Sequence, residues 1–178
     1  MKRVNPVTDN RNRDRIVACL ASRHSRYALL FRLGVGTGLR GSDLLSFRCD
    51  DNLRPVLSGG ADVVLKKTGV LIRIHVDDRL LHDVIEYSKT LSEGDYLFYS
   101  RENQKDRPVT RQHVARVLRA VGASVGLDHI STHSMRRTYA VGLYRACNDL
   151  LTVQRALGHK YLSSTLCYML DADRRLVL

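Results

Sequence analysis

The segment 61–76, ADVVLKKTGVLIRIHV, restricts the fold most, because it carries the clearest strand signal in the chain. Two runs rich in β-branched residues flank Thr68 and Gly69. Glycine accepts the positive φ that a tight turn requires, so the pattern predicts two antiparallel strands joined as a hairpin. Apolar residues elsewhere mostly recur at helical spacing. The sequence therefore predicts an α+β fold that is mostly helical with one small antiparallel sheet.

Helix signals occupy most of the remaining chain, and residues that cap helices precede several of them. A short extended piece is predicted over 95–100 and a polar loop over 102–108. The predicted helices are one that begins after Thr8 or Asp9 and carries Leu20, one that begins at His133, and others over 25–35, 40–47, 77–88, 110–125 and 150–157.

A length of 178 residues with 44% apolar residues suffices for one domain with a sizeable core, so we expect a single domain over 1–178. The four cysteines form neither a CxxC motif nor a zinc-site spacing with histidine, which predicts reduced, buried thiols. The N-terminal segment has no apolar core of a signal peptide, and no window approaches the ~20 apolar residues of a membrane span. A cytoplasmic protein without membrane contact is expected.

The balance of charge points to a polyanionic partner. The chain has 29 Lys and Arg against 18 Asp and Glu, a net charge of +11, and 23 of the 29 cations are Arg. A guanidinium donates two parallel hydrogen bonds to phosphate oxygens, whereas an ammonium acts as a point charge. The expected partner is therefore nucleic acid.

Two segments place arginine at predicted helix starts. THSMRRTYA puts His133 and Arg136 three residues apart, on one helix face, where amide N–H groups also favour an anion. On its own, this motif also fits a capped basic helix in solvent. GLRGSDLL puts Arg40 close enough to Asp43 for the carboxylate to orient the guanidinium, although a surface ion pair is the alternative.

Two further segments supply a phenol, an imidazole and two ammonium groups. LGHKYLSSTLCYM places His159 just after a helix end and Tyr168 nine residues later. A tyrosine in such a setting is also typical of an apolar core with its hydroxyl at the rim. Lys66 and Lys67 stand at the predicted hairpin turn, where exposed lysines are common.

The order of these segments resembles the catalytic domain of the tyrosine recombinases, the phage-integrase family. Arg in GLRGSDLL, Lys in the KTG hairpin, HxxR, LGH and a final Tyr succeed one another at suitable intervals over roughly 8–169. The resemblance implies that family's fold, double-stranded DNA as substrate, and no cofactor or metal. The implied catalytic residues are Arg40, Lys67, His133, Arg136, His159 and the nucleophile Tyr168, supported by Asp43.

The chemistry of phosphodiester transfer suits this set. Arg40 and Arg136 would stabilise the charge that builds on the non-bridging oxygens. A phenol of pKa near 10 is a weak nucleophile at neutral pH, so His133 is expected to take its proton while His159 hydrogen-bonds the phosphate. The hairpin lysine is expected to protonate the departing 5′ oxygen. Lys67 is favoured for this role because KTG is the form that the family's turn often takes, and its neighbour in the turn stays an alternative.

The implied activity is site-specific recombination, by integration, excision or inversion, through a 3′-phosphotyrosyl intermediate and a Holliday junction in a tetramer on paired DNA sites. The family's N-terminal core-binding domain is not recognised, so we expect a minimal recombinase or a catalytic domain alone. Residues 171–178 end in an apolar tip, which is expected either to fold back on its own core or to dock on a neighbouring protomer.

The chain departs from the family's usual pattern at three positions. Ser134 stands where an acidic residue is usual, Met135 replaces the commoner Leu, and Asp43 stands in place of Glu. Two other functions stay open on the sequence alone. One is nicking and resealing like that of a type IB topoisomerase, and the other is non-catalytic DNA binding by a basic accessory protein.

Overall fold

The computed structural model describes residues 5–23, 25–49, 60–100 and 107–172. In these residues the strands β1 (Ala61–Val64) and β2 (Leu71–Ile74) form the small antiparallel sheet that the sequence predicts, and most other residues are helical. The predicted fold class is confirmed. In chain order, the helices are α1 (Asn10–Arg23), α2 (Ser25–Thr37), α3 (Gly41–Leu44), α4 (Asp78–Ser88), α5 (Arg111–Ser124), α6 (Thr132–Cys147), α7 (Leu150–Leu157) and α8 (Leu162–Ala172).

The hairpin closes at the predicted turn. Val64 pairs with Leu71, and the Leu65 carbonyl accepts hydrogen bonds from the backbone amides of Thr68 at 3.2 Å and Gly69 at 2.8 Å. Gly69 has a φ of 65°, which explains why glycine follows the turn. Alternate residues of β2 are buried, so one face of the sheet packs on the core and the other meets solvent.

Helix α2 lies at the centre of the larger apolar core. Its side chains are buried nearly all round, as expected of a helix that is packed on several sides, here by α1, α4 and α6. Gly34 allows the close contact with α6, because an added Cβ would lie only 2.7 Å from the Cε atom of Met135. A second, smaller core cluster joins α6 to α7 and α8. Helix α6 therefore connects the two clusters.

Side-chain caps fix several predicted helix starts. The Asp77 carboxylate accepts from the Leu80 amide at 2.9 Å, and the Thr110 hydroxyl accepts from the His113 amide at 3.2 Å. Asp149, one of the two candidate caps before α7, accepts from two amides of the first turn. These caps satisfy amides that lack a partner inside the helix. The predicted helices over 77–88, 110–125 and 150–157 are confirmed to within one residue at each end.

Three local predictions need correction. Helix α2 continues two residues past its predicted end, because the left-handed conformation comes only at Gly38, with φ 66°. Helix α3 is shorter than 40–47, with Arg40 as its N-cap. Residues 95–100 are not extended throughout, because Leu97 and Phe98 form a turn between two isolated bridges, Arg48 with Tyr96 and Tyr99 with Pro108.

The four cysteines are free thiols, as predicted, but they are not buried. Cys147 and Cys167 are exposed because both occupy outward-facing helix positions. No helix in the described ranges is both long and apolar enough to cross a membrane. Residues 101–106, in the predicted polar loop, and 173–178, in the predicted tail, lie outside what the structure describes.

Candidate active site

Arg136 is the anchored centre of the candidate site. Its side chain projects from α6 and is only 3% exposed. One terminal nitrogen donates to the Gly38 carbonyl at 2.7 Å and the other to the Leu157 carbonyl at 2.6 Å. Burial and the nearby charge of Arg40 lower the Arg136 pKa to about 10, so the guanidinium stays charged at neutral pH. The helix thus presents a fixed cation where the α2–α3 connection meets the end of α7.

Gly38 makes this arrangement possible. Its positive φ turns the chain after α2 and presents the carbonyl that Arg136 contacts. An added Cβ would lie 2.2 Å from Cδ1 of Tyr139, whose ring covers the position. A substitution here would strain the backbone and displace an aromatic ring together. The glycine of GTG therefore supports the site rather than only ending a helix.

His159 follows the left-handed cap of α7 at Gly158, where φ is 59°. Its Nε2 atom lies 3.3 Å from an Arg136 terminal nitrogen, and its Nδ1 atom lies 3.0 Å from the hydroxyl of Thr165. A guanidinium only donates, so Nε2 must accept while Nδ1–H donates to Thr165. Burial and then the charges of Arg136 and Arg40 lower the His159 pKa to about 4. The imidazole is therefore neutral at neutral pH.

Tyr168 lies on α8, one turn after Thr165, and is packed against the residues just described. Its ring meets the His159 ring edge-on, with centroids 5.6 Å apart, and the Arg137 guanidinium carbon lies 5.3 Å from its centroid. The hydroxyl oxygen is buried. Burial raises the Tyr168 pKa, and the nearby charges of Arg136, Arg137 and Arg40 oppose this rise. The structure thus brings a buried phenol beside several fixed cations.

Arg40 adds a second cation to the same site. It caps α3 in extended conformation, and its Nη1 atom is buried without a hydrogen-bond partner among the residues described. Its charge acts on Arg136, His159 and Tyr168 together. Two guanidiniums this close repel each other unless an anion lies between them. The arrangement therefore favours a bound phosphate or similar group.

Asp43 does not orient Arg40 as the sequence predicted. Its buried carboxylate accepts a hydrogen bond from the backbone amide of Lys66 at 3.1 Å, and the ion pairs of the described residues include none between Asp43 and Arg40. This hydrogen bond directs the carboxylate to the hairpin turn. Its charge still raises the pKa of Arg136. Asp43 thus holds the lysine-bearing turn in place.

Lys66 and Lys67 are both exposed in the hairpin turn. The preceding residue, Leu65, is fully buried and packs against the turn that carries the second histidine. An added Cβ on Gly158 would lie 2.3 Å from a Leu65 methyl carbon. The hairpin is therefore docked beside His159, and the lysines extend from a supported turn.

His133 stands in the first turn of α6 and keeps contact with solvent. Partial burial, followed by the charges of Arg137, Arg136, Arg111 and Arg40, lowers its pKa, so the imidazole is neutral at neutral pH. His133 and Arg136 were predicted to lie on one helix face that binds an anion. Arg136 is buried, whereas His133 is exposed. Ser134, the departure from the family pattern, accepts a hydrogen bond from the Ser131 amide at 3.1 Å and so caps α6.

Two residues of this site were not identified from the sequence. Thr165 precedes Tyr168 by three residues, a spacing that places both on one helix face, but a threonine in an SSTL run carries no distinct signal. Arg137 follows Arg136 directly, and adjacent arginines do not reveal which neighbours each one reaches. Both assignments come from contacts in the structure, with His159 for Thr165 and with the Tyr168 ring for Arg137.

Comparison with known proteins gives a consistent result. Residues 7–175 match the model of the phage integrase family. The chain is 30% identical over 172 residues to a probable integrase/recombinase, YoeC, of Bacillus subtilis, a match that covers 96% of this chain and 92% of the relative. It is 31% identical over 157 residues to the tyrosine recombinase XerA of Thermococcus kodakarensis, with 86% of this chain and 54% of the relative covered.

Solved structures show the same fold. A XerH site-specific recombinase bound to a palindromic difH substrate superposes with a TM-score of 0.74 at 21% identity, over 98% of this chain and 52% of that one. A lambda integrase tetramer bound to a Holliday junction gives a TM-score of 0.70 at 21% identity, over 98% of this chain and 50% of that one. The chain thus spans about half the length of these recombinases. Because the family model matches nearly the whole length of this chain, the chain belongs to the phage integrase family.

Proposed function

We propose that this protein is a site-specific DNA recombinase that cuts and rejoins DNA through a 3′-phosphotyrosyl intermediate and a Holliday junction. The observation that carries the proposal is the convergence of Arg40, Arg136 and His159 on Tyr168, whose hydroxyl oxygen is buried. This arrangement supplies cations for a phosphodiester and a nucleophile beside them. Membership of the phage integrase family supports the same activity.

In the proposed cleavage step, the Tyr168 oxygen attacks the scissile phosphorus and the bond to the 5′ oxygen breaks. The phenolic proton passes to His133, and Lys67 donates a proton to the departing 5′ oxygen, which becomes a hydroxyl. Arg40 and Arg136 stabilise the charge on the non-bridging oxygens. Rejoining is the reverse reaction with the 5′ hydroxyl of a partner duplex, so the energy of the broken bond is kept in the covalent intermediate.

The two histidines fit different parts of this step. A pKa of about 4 makes His159 a weak base at neutral pH, which favours His133 as the proton acceptor. In the described geometry, Nε2 of His159 accepts from Arg136, so it must bind a proton before it donates to a phosphate oxygen. A bound phosphodiester favours that protonation, because its negative charge offsets the two arginines that lower the pKa.

We also propose double-stranded DNA and further copies of this chain as partners, with four protomers on two paired DNA sites and activity in the cytoplasm. The net charge of +11 supports the DNA partner. The tetramer of lambda integrase on a Holliday junction supports the assembly. These partners and Lys67 as the general acid are proposals for this chain.

A nicked suicide substrate tests the proposal. Such a DNA loses a short fragment after cleavage, so the covalent adduct accumulates and appears as a slower band in a denaturing gel. We expect the wild-type protein to form the adduct, and Tyr168→Phe to form none while it binds DNA almost as well, because Arg–phosphate contacts dominate affinity.

Tyr161→Phe is the matched control, since Tyr161 is exposed near the start of the same helix, and it should form the adduct normally. An adduct with Tyr168→Phe would contradict the assignment of the nucleophile. A protein that binds DNA but never forms an adduct would be an accessory protein. Relaxation of plasmid DNA without recombinant products would indicate topoisomerase-like activity instead.

A further inference from the structure

Adjacent arginines on α6 reach different targets. Arg136 is directed to the backbone carbonyls of Gly38 and Leu157, whereas the guanidinium of Arg137 lies 5.3 Å from the centre of the Tyr168 ring. Neighbouring residues of an α-helix point about 100° apart, so two successive side chains separate naturally. One helix turn therefore supplies one cation to the anion site and another to the phenol.

We propose that Arg137 is a positioning residue that holds the Tyr168 ring by a cation–π contact and stabilises the phenolate. This inference rests on the proposed function, in which Tyr168 is the nucleophile. Arg137 thus has a role distinct from that of Arg136, because Arg136 binds the phosphate.

The physical need for such a residue follows from burial. A buried phenol ionises less readily than one in water, and burial is the largest influence on the Tyr168 pKa. The groups that face this side chain are Arg136 and Arg137 from α6, Arg40 from the start of α3, and the neutral His159 after α7. Among the arginines, Arg137 is the one for which the structure records a contact with the ring itself.

Binding of a phosphodiester increases the importance of Arg137. The phosphate charge offsets the charges of Arg40 and Arg136, so these two contribute less to phenolate stability at the moment of attack. Arg137 lies over the Tyr168 ring, so its charge remains close to the phenolate. A planar guanidinium also stacks on an aromatic ring better than an ammonium does, which fixes the direction of the attacking oxygen.

The first test measures the Tyr168 pKa without any DNA. Tyrosine labelled with ¹³C at Cζ gives one NMR signal for each of the eight tyrosines, and the signal missing from Tyr168→Phe identifies Tyr168. We expect Arg137→Gln to raise the Tyr168 pKa by about 1 pH unit relative to the wild type. Arg137→Lys keeps the charge and should shift it by less than half as much.

The second test follows the rate of single-turnover cleavage of the suicide substrate against pH. With fewer phenolates present, Arg137→Gln should cleave about 10-fold more slowly at pH 7, and the deficit should shrink only as the pH rises above the Tyr168 pKa of the wild type, which burial raises above its ordinary value. A purely structural defect would lower the rate by the same factor at every pH. Arg145→Gln is the control, because Arg145 lies exposed near the end of the same helix, and it should match the wild type in both tests.

The outcomes separate the two proposals. An unchanged Tyr168 pKa in Arg137→Gln, a deficit independent of pH, or equal pKa shifts in the Lys and Gln variants would overturn the role of Arg137. If Arg137→Gln fails to fold, Arg137→Met keeps the length of the side chain and carries the same expectation. If the wild type forms no adduct, the proposed function fails, while the NMR titration still decides whether Arg137 controls the phenol.

Discussion

Burial lowers the pKa of both Arg136 and His159, but at neutral pH it leaves Arg136 charged and His159 neutral. Each loses hydration and faces another guanidinium, so the pKa of each is lowered, to about 10 for Arg136 and to about 4 for His159. Neutral pH lies between these two values. The site therefore combines a permanent cation with a neutral imidazole that accepts its hydrogen bond.

The His159 pKa predicts how stability depends on pH. Its folded value of about 4 lies below the ordinary value of 6.5, so between these values the unfolded chain binds a proton that the folded chain does not. Stability should therefore fall as the pH is lowered from about 6.5 towards 4 and stay constant above this window. Between pH 7 and pH 4.5, the free energy of unfolding of His159→Gln should fall by about 1–2 kcal/mol less than that of the wild type. Urea unfolding at each pH measures this difference. Parallel losses would show that His159 titrates alike in both states.

At the scale of elements, the site is assembled from turns that glycines allow to pack closely. Gly38 lets Tyr139 pack against the turn whose carbonyl Arg136 binds, and Gly158 lets the hairpin residue Leu65 approach the end of α7. Neither contact involves a catalytic group. Both contacts set the distance between elements that carry such groups. They therefore fix the positions of the hairpin, α6 and α8 relative to one another.

The docked hairpin predicts which lysine is the general acid. Lys67→Ala should cleave ordinary DNA slowly and be largely rescued when sulfur replaces the 5′ bridging oxygen, because a thiolate leaves without a proton. Lys66→Ala is the matched control. The backbone amide of Lys66 binds Asp43, so the variant keeps this bond and should need no rescue. Cleavage rates on both substrates check this, and equal rescue of both variants, or of neither, would contradict the assignment.

At the scale of the whole molecule, the candidate site lies where two apolar clusters meet. The larger cluster includes Met135 of α6, and the smaller cluster includes Ala140 and Val141 of the same helix. Arg136 stands between them in sequence and reaches carbonyls 98 and 21 residues away. Any change that moves one cluster against the other would therefore shift the cation from the phenol.

Assembly of several copies gives a prediction that rests on sequence, because residues 173–178 are not among those described. The apolar tip 176–178 follows charged residues, and we propose that it docks on a neighbouring protomer. Deletion of 174–178 should leave single-site DNA binding intact but weaken the pairing of two sites and strand exchange. Gel shifts and sedimentation of protein–DNA complexes measure these steps. Normal pairing by the truncated protein would favour a tip that folds back on its own core.

Local sequence rules determined the elements. Helix starts at Asp77, Thr110 and Asp149 followed from capping side chains, and the hairpin followed from two β-rich runs around a glycine. The order of the motifs gave the fold class and the family as well. The helices and the hairpin depend on residues a few positions apart, and the motifs are identified by their order along the chain, so both can be recognised before the chain folds.

The tertiary structure decided which side chains meet. It directed Asp43 to the hairpin amide rather than to Arg40, buried Arg136 between two distant carbonyls, and set Arg137 against Tyr168. It also left residues 95–100 without a strand partner beyond isolated bridges. Each outcome depends on packing between segments far apart in the chain. The spacing of residues within one segment specifies the direction of a side chain, but the partner at its end is set only when the helices and the hairpin pack around a common core.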